Sequence, residues 1–157
     1  MVEVVKLLEY SRDVRHRYFK ALAKLPWKEP VKNREASFHS IRNIFIHTLN
    51  ATDFWLDFLL KEKLYVHRRL NTYESMKEIE NYMKHVEARL ERYTCRLDPQ
   101  DLNAEYSVKN DAEETIIVTV EDVLIHIFEE EVHHRGELIG LLWQIGVEPP
   151  LMGWKDL

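Results

Sequence analysis

The segment VEDVLIHIFEEEVHHRGELIGLLWQIG, residues 120–146, reads as one long helix, and two polar residues within its apolar stripe constrain the chain most. At about 100° per residue, Val123, Ile127, Leu138, Leu141 and Ile145 collect on one side as a core-facing stripe. Glu130 and His134 fall inside that stripe. A spacing of four makes them neighbours on one helix face, with Cβ atoms about 5–6 Å apart. A carboxylate and an imidazole carried toward an apolar interior are costly unless each finds a partner. A divalent cation is one partner that satisfies both.

The rest of the chain supplies the surroundings for such a helix. Residues 2–25 carry Val4, Leu7, Leu8, Val14, Tyr18, Ala21 and Leu25 at near-heptad spacing, an amphipathic first helix closed by Pro26 and Pro30. Residues 37–61 form a second helix with the stripe Ile44, His47, Ala51, Phe54 and Phe58, which His47 interrupts. Trp55 is expected to pack against the bundle with its N–H satisfied. A third helix over 74–97 turns Ile79, Tyr82, Met83, Val86, Leu90, Tyr93 and Leu97 inward, and Pro99 ends it. Residues 104–108 and 115–119 are short β-favouring runs, with Asn110 and Asp111 as turn residues between them. Thr119 then stands as N-cap of the last helix with Asp122 in the capping-box position, and Gly146 stands where a C-cap glycine belongs. Four long helices predict an all-α fold, an antiparallel four-helix bundle with a small β-hairpin before the last helix, in one domain over residues 1–157. The longer links after the second and third helices leave room for a crossover.

Composition narrows the function classes. Glycine is scarce, at 4 residues, which favours helices over turn-rich β structure. A net charge of −5 with no basic stripe speaks against a nucleic-acid partner. No apolar run reaches membrane-spanning length, and the N-terminus MVEVVKLLEY resembles neither a secretory signal nor a transit peptide. One cysteine, Cys95, rules out an intrachain disulfide framework, and a cytoplasmic location is expected.

His47, Glu130 and His134 therefore share an inward phase on two helices. Bundles build metal sites this way, with ligands projecting from facing helices and open positions for water or substrate. The competing reading is a metal-free, hydrogen-bonded cluster. His126 and His133 project toward the edge of the stripe; they are the substitutes to consider for a ligand, and read as residues behind the ligands or at the surface. Glu131 and Glu129 point away from the inferred metal side, and Arg135 is expected to pair with Glu131. Gly136 is expected to permit close helix approach. His16, His39, His67 and His85 read as surface residues, and Cys95 as a structural or solvent-edge thiol.

Two stretches resemble a known family. HTLNATDFWL (residues 47–56) is similar to the second-helix motif of the DinB-like proteins, damage-inducible four-helix bundles. HIFEEEVHHRGELIGLLWQIGVEPP (residues 126–150) is similar to their last-helix motif, and the resemblance covers nearly the whole chain. It implies a divalent metal, nickel or zinc, held by His47 and His134 in the first and third ligand positions. At the second position the family usually has His and this chain has Glu130. Two His and one Glu is an established zinc set. The resemblance further implies a homodimer, to which the apolar tail with Trp154 would contribute. For function it implies either a metal-dependent enzyme, a thiol S-transferase acting with a small-molecule thiol or a hydrolase, or a non-catalytic metal-stabilised or ligand-binding bundle in a stress response.

Overall fold

The computed structural model describes residues 3–62, 69–109 and 112–151. The turn residues Asn110 and Asp111, the loop residue His67 and the tail residue Trp154 lie outside the described residues. Four long helices are present among the described residues, α1 (Glu3–Leu22), α3 (Ile41–Leu60), α4 (Met76–Thr94) and α5 (Val120–Gln144), with a single turn, α2 (Lys28–Val31), after the first. Strands β1 (Glu105–Lys109) and β2 (Thr115–Thr119) form the expected antiparallel hairpin, with Tyr106 opposite Val118. No described helix is long and apolar enough to cross a membrane.

The boundaries follow local chemistry. Ser40 and Ser75 cap α3 and α4, each Oγ accepting from the backbone N–H three residues on. Thr119 and Asp122 form the reciprocal capping box of α5. At the other end of α5, Gly146 at φ 73° donates to the Trp143 carbonyl and Val147 to that of Leu142. This is a Schellman closure, which needs the left-handed backbone that glycine adopts most easily.

The core is split in two. One cluster holds Val14, Tyr18 and Leu22 of α1 with Ile44 and Leu49 of α3 and Leu138 and Leu142 of α5. The other holds Val4 and Leu8 of α1 with Leu56 and Leu59 of α3 and Val123 and Ile127 of α5. The amino-terminal halves of α1 and α5 thus share one end with the carboxy-terminal halves of α3 and α4. α1 and α5 run one way, and α3 and α4 the other. α3 ends at one end of the bundle while Tyr73 and Met76, at the start of α4, sit in the opposite cluster. The link between α3 and α4 is therefore the crossover, and the hairpin fills the link between α4 and α5.

Between the two clusters lies a polar layer. Glu131 is 5 % exposed and accepts from Arg15 Nε at 2.7 Å and Ser11 Oγ at 2.8 Å. Arg15 also reaches Glu87 of α4 at 2.8 Å, and His16 lies 3.0 Å from the other oxygen of that carboxylate. Arg135 donates to Ser11 Oγ at 2.7 Å, so the expected Glu131–Arg135 pair gives way to partners across the bundle. Interhelical partners win here because both side chains are buried against α1, where Arg15 and Ser11 supply donors and an acceptor at hydrogen-bond distance. On the facing side Arg89 is ion-paired with Asp53, Asp57 and Glu62.

Some expected core positions are displaced. Leu7 is 44 % exposed, and Gly136 faces open space with no close neighbour to accommodate. Phe54 is 52 % exposed, because the stripe Ile44–His47–Ala51–Phe54–Phe58 faces a cleft over much of its length.

Breaking the polar layer should be costly. Glu131→Gln is expected to lose about 3 kcal/mol in urea denaturation, the lower end for one partner of a buried pair, because Glu87 still faces Arg15. Thr119→Ala, which removes only the cap, should cost about 1 kcal/mol.

Candidate metal centre

α3 presents His47 and α5 presents Glu130 and His134 at the height of the polar layer. Glu130 Oε2 lies 3.2 Å from His47 Nε2 and 3.5 Å from His134 Nε2. All three ligand atoms fall within 4.8 Å of one another. Donor atoms bound to one ion at about 2.0–2.2 Å stand roughly 3.3–3.6 Å apart at tetrahedral angles. The carboxylate stands within about 0.1 Å of that range from His47 and inside it from His134, and a set of two nitrogens and one oxygen suits a borderline divalent ion.

The second nitrogen of His134 is also held. Its Nδ1 lies 2.5 Å from Glu137 Oε2, and the same oxygen accepts from Ser37 Oγ at 2.9 Å. With the Nδ1 proton committed to a carboxylate, Nε2 turns its lone pair toward Glu130. A lone pair facing a carboxylate oxygen needs a second proton or a cation between them. The carboxylate behind a ligating histidine is the usual outer partner of a metal site, because it fixes the tautomer and raises ligand basicity. Partial burial works against the Glu137 carboxylate, yet its hydrogen bonds from His134 and Ser37 hold its pKa below the ordinary value. Burial, then the neighbouring His134, pushes the His47 pKa down, and the hydrogen bond to Glu130 only partly opposes this. Phe38 stacks on the His47 ring with centroids 3.9 Å apart, which fixes the ring plane.

Glu137, Ser37 and Phe38 were not foreseen. Glu137 was within reach of a pattern argument, since it stands three residues after His134 on the same helix face. Ser37 and Phe38, expected in the first turn of the second helix, lie instead in irregular chain before Ser40, whose side chain caps the helix at Ile41. His133 is exposed and forms a second possible group with His134 and Glu137, but that group has His134 Nδ1 already bonded to Glu137. His126 does not join the centre; its ring meets Trp55 edge-on at 5.5 Å. Cys95, His39 and His85 are exposed, as expected, whereas His16 is half-buried beside Glu87.

A cleft of about 600 Å³ between α3 and α5 opens directly onto His47 and Glu130. Phe38, Phe54, Trp55 and Leu70 give it largely apolar walls, and Asn50 is a polar residue among them.

Comparison with known proteins agrees with this architecture. The chain is 27 % identical over 147 residues to Protein DinB of Bacillus subtilis, covering 90 % of this chain and 85 % of that one. The fold matches a DinB-like protein from Bacillus cereus with a TM-score of 0.71 at 15 % identity, covering 94 % of each chain. It matches a conserved protein from Enterococcus faecalis with a TM-score of 0.70 at 14 % identity, covering 93 % of this chain and 99 % of that one. The DinB family profile matches residues 1–156, and the chain belongs to the DinB family.

Proposed function

We propose that this DinB-family protein holds a divalent ion, zinc or nickel, through His47, Glu130 and His134, and uses it as a metal-dependent enzyme on a small molecule. The observation that carries this reading is the cleft meeting two of the three ligand residues. A centre that served stability alone would be expected to close over its polar atoms, whereas His47 and Glu130 keep about a quarter of their side-chain surface open. When bound, the ion would act as a Lewis acid that lowers the pKa of a water or thiol on its open side.

The chain's own residues have distinct tasks. Phe38 holds the His47 ring, Glu137 orients His134, and Ser37 holds Glu137. The low pKa of His47 keeps its nitrogen unprotonated, as a ligand must be. Glu130 adds a negative charge where the family usually carries a neutral ring. That charge strengthens binding of hard and borderline ions and reduces the acidity the ion can impart. Transfer to a small-molecule thiol and hydrolysis are the two reaction classes that such a centre supports.

Three outcomes are expected. Wild-type protein purified without added metal should carry about one zinc or nickel per chain by mass spectrometry of the metal content. Glu130→Gln should lose more zinc affinity than the roughly 10–100-fold lost on mutating an outer partner such as Glu137→Ala. Equal metal content in wild type and Glu130→Gln after dialysis against a weak chelator would overturn the ligand assignment. Zinc affinity measured by calorimetry should weaken as pH falls through the range where ligand imidazoles take up protons, about 6–7 for an ordinary histidine, because protons compete with the ion for the ring nitrogens. His47, whose pKa is depressed by burial and then by His134, should contribute to that loss only at the lower end of the range.

A further inference from the structure

We propose that Asn50 is a specificity-determining hydrogen-bond donor of the cleft, and that the ligand it selects is a small molecule with an apolar body and a carbonyl oxygen. This rests on the reading of the cleft as the ligand site beside the metal centre. Asn50 stands three residues after His47 on α3, so it follows the ligand by nearly one turn on the same face. It is only 6 % exposed, and it lines the cleft.

Its orientation is set from behind. Tyr82 of α4 donates its hydroxyl proton to Asn50 Oδ1 at 2.9 Å. The alternative acceptor for that proton, Asp53 Oδ2, is farther away at 3.3 Å, and the other oxygen of Asp53 is ion-paired with Arg89. With its carbonyl occupied, the amide turns Nδ2 toward the cleft, where it has no hydrogen-bond partner among the described residues. The N–H groups at the cleft wall are left without a protein acceptor among the described residues, and a ligand oxygen is the group that would pair with one of them.

The walls define the rest of the ligand. Phe54 and Trp55 offer aromatic surface, and no Lys or Arg lines the cleft among the described residues. A body with apolar surface and one acceptor oxygen satisfies both the rings and the Asn50 amide.

The test is a matched pair of probes, phenylacetone and propylbenzene, titrated into ¹⁵N-labelled full-length protein with and without zinc. Phenylacetone is expected to bind more tightly and to shift the Asn50 side-chain amide resonances. Asn50→Ala should weaken phenylacetone about fivefold, the effect of one ordinary hydrogen bond, and leave propylbenzene unchanged. The near-isosteric Asn50→Asp, which exchanges donor for acceptor, should weaken it at least as much. Circular dichroism of both variants establishes that they are folded, and the zinc affinity of Asn50→Ala should not change. Tyr82→Phe should have a smaller effect, because it frees the amide to rotate without removing it. Equal binding of the two probes by wild type, no binding of phenylacetone, or an unmoved Asn50 amide overturns the proposal. Failure to bind zinc would instead overturn the metal reading, while the metal-free titration still decides the role of Asn50.

Discussion

The ion pair between Glu131 and Arg15 sets the geometry of the molecule. It is buried, it joins the last helix to the first, and the second oxygen of Glu131 takes Ser11. Taking a carboxylate out of water costs several kcal/mol, and only well-placed donors offset this. One rotation of α5 meets that demand. Glu130 is the next residue along, turned by about 100°. Fixing Glu131 toward α1 therefore aims Glu130 toward α3 and His47. The two adjacent glutamates divide the work: one locks the helix and the other faces the cleft.

The same logic explains why polar residues gather at mid-height. Each apolar cluster is continuous within its own half of the bundle, and the charged residues of α1, α3, α4 and α5 meet between the halves. Arg15 and Glu131 form one side of that layer, Arg89 and Asp53 another, and the His–Glu–His group opens from it into the cleft. Charges that would be costly in either cluster satisfy one another there. The layer also supplies rigidity to the site, since Tyr82 and Asp53 stand directly behind Asn50.

Much of this was legible from sequence. The spacing of Glu130 and His134, and the phase of His47, located the candidate centre because helical periodicity converts sequence distance into direction. The caps at Thr119 and Gly146 were legible for the same local reason. Phe54 was misplaced because α3 is apolar around much of its circumference, so a stripe alone could not tell core from cleft wall. The partners of Glu131 were misplaced because a local pair at i+4 was weighed without α1, whose contribution depends on tertiary approach. The outer partners Ser37 and Phe38 come from irregular chain, where direction is set by packing.

The direction of the helices has a consequence for synthesis. α1 and α5 run side by side in parallel, yet Arg15 and Glu131 lie 116 residues apart in the chain. On the ribosome, Arg15 and His47 emerge long before Glu131, Glu130 and His134. The first three long helices can gather, and Glu87 of α4 already meets Arg15, but the Glu131 partner and two of the three residues of the candidate centre arrive only with α5. Closure of the bundle and assembly of the candidate site thus fall together, with the arrival of α5. Contacts so distant in sequence slow folding. In return, a nascent chain has no complete His–Glu–His group with which to capture an ion before the fold that shapes the site is in place.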